Sequence, residues 1–205
     1  MKGATPALDV IASRRSVRSF SSKHPPDAAI DLLIEAGRRA PSAHNSQPWI
    51  FSVLRSDEEK EGLARAMRGV FLRYLRSQGD ASPAEKADLA YKRTASAPVL
   101  ILLSLDLSQL RSQPTPSRRY GERLMGSQSV AAAAQNILLA AHASGLGGCW
   151  RGAPIFCAFA VRRALELPSH FYPQVLLEIG YPLGKAKRKK LKAKDEVVRY
   201  GIGWR

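Results

Sequence analysis

Between Pro41 and Pro48 the chain runs Ser42-Ala43-His44-Asn45-Ser46-Gln47, five polar side chains around a single apolar one. Asn and Gln each carry a donor and an acceptor, which suits the edge of a heterocycle whose carbonyls alternate with N–H groups. The same residues also bond their own backbone in ordinary turns, so a ligand rim and a self-satisfied turn both stay open. A second reactive stretch is Arg14-Arg15-Ser16-Val17-Arg18-Ser19-Phe20. Guanidinium forks match phosphate oxygens two at a time, and a serine hydroxyl adds a short donor. The plainer reading is a solvated basic turn anchored by Val17 and Phe20. In the third stretch, Gly145-Leu146-Gly147-Gly148-Cys149-Trp150, three glycines fall within four positions. Glycine lets a ligand approach the backbone closely, although Gly145 by itself reads as a helix C-cap. The block follows a helix rather than a strand, so it is not a dinucleotide fingerprint. Nothing in the sequence sets a His–acid pair beside Cys149 to make it a nucleophile.

The elements that must position these groups are read from periodicity. Ala7–Ser13 forms a short helix that delivers the arginines. Asp27 N-caps a helix over 28–40, with Ile30, Leu33, Ile34 and Gly37 on its buried stripe. Pro41 ends that helix, and Trp49–Leu54 follows the polar loop as a buried strand. A helical excursion spans 57–96. Its first helix opens at Ser56-Asp57-Glu58-Glu59, with carboxylates where the helix dipole favours them, and its second has a capping-box start at Ser82. Val99–Leu103 is apolar at every position, the mark of a central strand covered on both faces. Residues 108–119 read as a Pro- and Ser-rich loop, 125–144 as an alanine-rich helix made for close packing, 154–165 as a helix, and Pro173–Gly180 as the last strand.

At 205 residues the chain suits one core, with no internal repeat or clear boundary. No window is long and apolar enough to span a bilayer, and no secretory leader is visible. Two cysteines make neither a disulfide framework nor a metal set, so a cytoplasmic location is expected. The formal charge of +15, with seven Lys or Arg among residues 185–194, points to an anionic partner of unspecified kind.

Taken together and in order, the Arg14–Phe20, Ala40–Trp49 and Ala134–Trp150 blocks resemble the FMN-binding nitroreductase family, as do Gly180-Tyr181-Pro182 and Asp195–Tyr200. The Gly-Gly-Cys-Trp block, the helical excursion and the Gly-Tyr-Pro ending are most similar to the flavin domain associated with the glutamyl ligase of deazaflavin-coenzyme synthesis. The resemblance implies a single FMN-binding domain over 1–205, with a basic C-terminal arm over 185–205. It implies an α+β fold, with a mainly antiparallel sheet flanked by helices, and an intertwined homodimer. By the same resemblance Arg14, Ser16 and Arg18, with Arg15 beside them, hold the phosphate and ribityl end of FMN, joined by Arg188 and Lys190. Asn45 and Gln47 serve the ring edge, and Pro41, Ser42 and Ala43 come from the other subunit. Backbone at Gly147, Gly148 and Cys149 lies beside the reactive ring nitrogen. The implied activity is a ping-pong oxidoreductase, with NAD(P)H or reduced deazaflavin as donor and a small organic acceptor. No catalytic acid or base is implied, because the flavin carries the chemistry. The alternatives are a basic nucleic-acid-binding protein and a flavin-fold protein without turnover; a nucleic-acid partner is not expected.

Overall fold

The computed structural model describes residues 6–184 and 190–201. Its centre is a four-stranded antiparallel sheet in the order β1-β2-β4-β3, formed by β1 (Trp49–Leu54), β2 (Val99–Asp106), β3 (Gly147–Arg151) and β4 (Phe171–Gly180). All eight residues of β2 are buried, as its unbroken apolar run requires. On one face Val99, Ile101, Leu103 and Leu105 pack with residues of α2 (Asp27–Arg38) and α5 (Pro116–Ala143). On the other, Leu100, Leu102 and Leu176 meet Leu63 of α3 (Asp57–Ser77) and Val161 of α6 (Ala158–Ala164). The helix α1 (Pro6–Ser13) precedes this core, α4 (Pro83–Ala95) follows α3, and α7 (Lys194–Val197) is a short turn in the basic arm.

The alanine-rich stretch does what its small side chains allow. Ala133, Ala134 and Ala141 of α5 are fully buried, and a Cβ on Gly37 of α2 would stand 3.0 Å from Ile137. The two helices are fastened where Asn136 Nδ2 donates to the Ala36 carbonyl at 3.1 Å. This face of α5 belongs to the core. The helical excursion is a pair of helices tied by an Arg68–Asp88 ion pair. Its start is a capping box, with Glu59 N–H donating to Ser56 Oγ at 3.2 Å and Ser56 N–H donating to Glu59 Oε2 at 3.1 Å.

Several local expectations are corrected. Asp27 is the first helical residue rather than the cap; Pro26 stands at the N-cap and makes no side-chain bond. Ser82 also leaves its helix uncapped, its own N–H being held by Asp80 Oδ1. The expected loop over 108–119 is shorter, because Thr115 caps α5 and Pro116 sits in its first turn, the position proline favours. The expected helix over 154–165 divides into a 3-10 turn, Ala153–Cys157, and the seven-residue α6. Gly145 turns the chain just past α5 at φ 75°, as expected of it, and Gly147–Arg151 form a strand that the sequence did not announce.

Candidate functional site

The arginine stretch is laid down by both ends of the core. Ser13, at the end of α1, shares a hydrogen bond with His142 Nε2 in the last turn of α5 at 2.8 Å. From there Ser16 forms a parallel bridge with Gly148, and Val17 N–H donates to the Gly148 carbonyl at 3.0 Å. The chain thus borders β3 as a short extra strand. The glycines make this possible. A Cβ on Gly147 would lie 2.7 Å from Val17, and one on Gly148 would lie 2.5 Å from Leu138. Their missing side chains are filled by the protein itself: Gly147 serves packing of the arginine stretch onto β3, and Gly148 serves packing of β3 onto the core.

Arg14, Arg15, Ser16 and Arg18 of that stretch are not equivalent. Arg15 donates to the Ala12 and Arg14 carbonyls at 2.7 and 2.8 Å, and so is committed to its own backbone. Arg14 and Ser16 are half-buried, and their side chains make no hydrogen bond or ion pair among the described residues. Arg18 is exposed and acts on the Cys149 thiol and on Glu178. The end of β4 lies alongside: Ser21 N–H donates to Tyr181, Leu183 N–H donates to Ser19, and Phe20 pairs with Pro182. The basic arm therefore departs next to the arginines, as a joint phosphate site would need. Lys190 is exposed, while Arg188 lies outside the described residues.

The loop after Pro41 holds three non-glycine residues at left-handed φ: His44 at 57°, Asn45 at 53° and Gln47 at 46°. Each such conformation costs on the order of 1 kcal/mol or more, less for Asn. Ser42 Oγ accepts from Gln47 N–H at 3.0 Å, and Ala43 N–H donates to Ser129 Oγ of α5 at 3.2 Å. The turn satisfies part of itself, yet the Asn45 and Gln47 side chains stay exposed, joined to each other only at 3.4 Å.

Within one chain this loop does not meet the arginines. It enters β1 at Trp49, whose row crosses the sheet through Leu105 to Tyr172. Gly147 instead stands opposite Gly180, one step past the Ile179–Val99 pair. Loop and arginines thus sit at opposite edges and opposite ends, about 19 Å apart across the strands and roughly 20 Å along them.

Sequence reading missed a cleft of about 1020 Å³ between α3, α4 and the residues that follow β3. Its walls are mostly apolar, with Met67, Val70, Phe71 and Phe156 prominent. Arg151 stands at its edge, its Nε donating to Glu178 Oε1 at 2.9 Å. Thr94 Oγ1 donates to the same oxygen at 3.4 Å. Burial pushes the Glu178 carboxyl up, while Arg151 and then Thr94 and Arg18 draw it back. Burial and then Glu178 push the Cys149 thiol up as well, which agrees with a non-nucleophilic cysteine. The signal available in the sequence was an arginine and a glutamate in two apolar strands, where unpaired charges are not tolerated. Arg18 acts electrostatically on Glu178, the carboxylate that holds Arg151 at the edge of this cleft.

Among the described residues no cluster of three or more His, Cys, Asp or Glu could hold a metal, and no helix is long and apolar enough to cross a membrane. A protein of Methanothermobacter thermautotrophicus named "Putative NADH dehydrogenase/NAD(P)H nitroreductase" is 29% identical over 180 residues, spanning 85% of this chain and 76% of its own length. A crystal structure of a Desulfovibrio desulfuricans protein in complex with FMN superposes with a TM-score of 0.74 at 25% identity, covering 98% of this chain and 99% of that one. A BluB-like flavoprotein of Clostridium difficile 630 gives a TM-score of 0.78 at 25% identity, with coverage of 96% and 99%. The model of the nitroreductase family matches residues 11–181, spanning the arginine stretch, the strained loop, the cleft and the last strand, and the chain belongs to that family.

Proposed function

We propose that this chain is an FMN-dependent oxidoreductase whose two complete sites each need a second copy of the chain. The observation that carries the reading is the bridge of Ser16 onto Gly148, with Val17 N–H bonded to the Gly148 carbonyl, which leaves the Arg14 and Ser16 side chains without a hydrogen bond or ion pair among the described residues. These donors fit a phosphate, with charge-assisted bonds worth roughly 1.5–3 kcal/mol each. Arg14, Ser16 and Arg18, aided by Arg188 and Lys190 of the arm, hold the phosphate and ribityl end. Arg15 contributes charge, with its Nη1 held by backbone carbonyls. Gly147, Gly148 and Cys149 shape the strand beside the ring. When bound, FMN supplies the hydride and electron chemistry, and the protein's part is to bind, orient and keep water away.

The separation of the two polar clusters supports a homodimer. Pro41, Ser42, Ala43, Asn45 and Gln47 complete the ring site across the interface, on the cleft of the other copy. Exposed Phe156, Phe159 and Tyr120, at 86%, 72% and 70%, supply apolar surface for such an interface. The reaction is of ping-pong type: a nicotinamide or reduced deazaflavin donor leaves the cleft before a small organic acceptor enters it. The deazaflavin donor is supported by the Gly-Gly-Cys-Trp block.

Two measurements test this. The purified protein, supplied with FMN, is expected to show a bound-flavin visible spectrum bleached by at least one of NADH, NADPH or reduced deazaflavin. A spectrum identical to free FMN overturns the reading. In the second, an Arg14→Ala/Arg18→Ala chain and an Asn45→Ala/Gln47→Ala chain, each impaired alone, are unfolded, mixed and refolded together. Regained activity is expected, because mixed dimers hold one intact site; none would leave the dimer without support.

A further inference from the structure

We propose that Arg151, set in place by Glu178, is an anion anchor in the cleft, and that the acceptor is a flat organic molecule carrying a carboxylate. This rests on the oxidoreductase reading and names the substrate class of the same site.

The lining of the cleft contains Arg68, Arg73 and Arg151 and no carboxylate. Arg68 is taken up by Asp88. Arg73 is exposed on α3, where a solvated cation has little selective force. Arg151 differs, because its side chain is only 25% exposed and its position is set by Glu178, itself 1% exposed. Only one edge of the guanidinium is used by that pair, through Nε. Nη2 is buried and has no hydrogen-bond partner among the described residues. A buried donor left open carries a desolvation penalty that an incoming acceptor atom removes. A carboxylate does so most effectively, since charge-assisted bonds are the strong ones and the fork geometry matches two oxygens.

The charge around the anchor favours an anion as well. Arg18 also acts electrostatically on Glu178, so two guanidinium charges are set against one carboxylate. The remaining walls ask for an apolar, flat body: Met67, Val70, Phe71 and Phe156 line the space, with Tyr74 and Tyr91 at its border. At about 1020 Å³ the cleft is at the upper end of small-molecule sites, enough for a flavin ring and a second ring over it. Glu178 is a positioning residue here; removing it frees Arg151 to swing toward solvent.

The test uses FMN-loaded protein and two probes of one shape, benzoate and neutral benzamide, titrated by calorimetry. Arg151→Met strands Glu178 in the core and can impair folding, so the double variant Arg151→Met/Glu178→Met, which removes both charges, is measured with it. The wild type is expected to prefer benzoate. In the double variant benzoate affinity is expected to fall about ten- to hundredfold. Benzamide affinity stays within about threefold. Arg151→Lys recovers part of the benzoate preference, and the FMN dissociation constant is unmoved throughout. Equal losses for both probes, no measurable binding of either, or a shifted flavin reduction potential with an unchanged probe ratio each overturn the anchor. A protein that takes up no FMN yet still prefers benzoate through Arg151 would overturn the oxidoreductase reading while supporting the anchor.

Discussion

Gly147→Ala tests the central contact of the site. The new Cβ would stand 2.7 Å from Val17 Cβ and Cγ2 and 2.9 Å from Cγ1, about 1 Å short of ordinary carbon–carbon separation. One side has to move. The β3 strand is held by its ladder to β4, whereas Val17 is held by one backbone bond to Gly148 and is only half-buried. The arginine stretch therefore gives way. Losing that bond costs about 0.5–1.5 kcal/mol, a drop in Tm of a few degrees for a chain of this size. Displacing Arg14 and Ser16 by about 1 Å weakens at least one charge-assisted contact, so the FMN dissociation constant is expected to rise about ten- to 150-fold. Gly148→Ala is the control. Its Cβ would meet Leu138 at 2.5 Å and Ile179 at 3.0 Å, both core residues. There the overpacking costs about 1–3 kcal/mol of stability, and flavin affinity suffers less. Thermal melts and titration of FMN fluorescence on the apoprotein read both quantities. If Gly147→Ala keeps its FMN affinity within about threefold, or the two variants lose stability and affinity in the same proportion, the account of these glycines is wrong.

Arg14→Ala is expected to weaken FMN binding about tenfold or more, with a loss that shrinks as salt rises, while Arg15→Ala changes it only about threefold because Arg15 is bound to its own backbone; equal effects in the fluorescence titration would contradict the distinction. Glu59→Ala removes half of the α3 capping box and is expected to cost about 1 kcal/mol near neutral pH. Ser56 holds the Glu59 carboxyl below its ordinary 4.5, so its contribution is present above that value and lost as pH falls through the lower folded one. The Tm difference from wild type should accordingly be constant above 4.5 and narrow below it. Burial pushes the Cys157 thiol up to about 11 and also raises Cys149. Native protein is therefore expected to resist iodoacetamide at mildly alkaline pH and to react promptly at both cysteines once unfolded, as intact-mass spectrometry would show.

Much of the fold was legible because local rules were obeyed. The unbroken apolar run of Val99–Leu103 identified a central strand, and the alanine stripe after Val130 identified a closely packed helix. Strand starts and helix caps were less secure, since tertiary contacts decide them. Asp27 looked like a cap, yet the helix begins with it, and the glycine block gave no sign of a strand, which forms because Gly180 and Ile179 pair with it. Types and order of the candidate binding residues were open to reading as well, although the same guanidinium, hydroxyl and amide groups also serve ordinary turns. Their availability was not. Only the folded chain commits Arg15 to the Ala12 carbonyl while leaving Arg14 open. Only the sheet order sends the strained loop to the corner opposite the arginines. The Arg151–Glu178 pair lay hidden for the same reason: two residues 27 positions apart become neighbours through strand register, and register is a property of the whole sheet rather than of any local stretch.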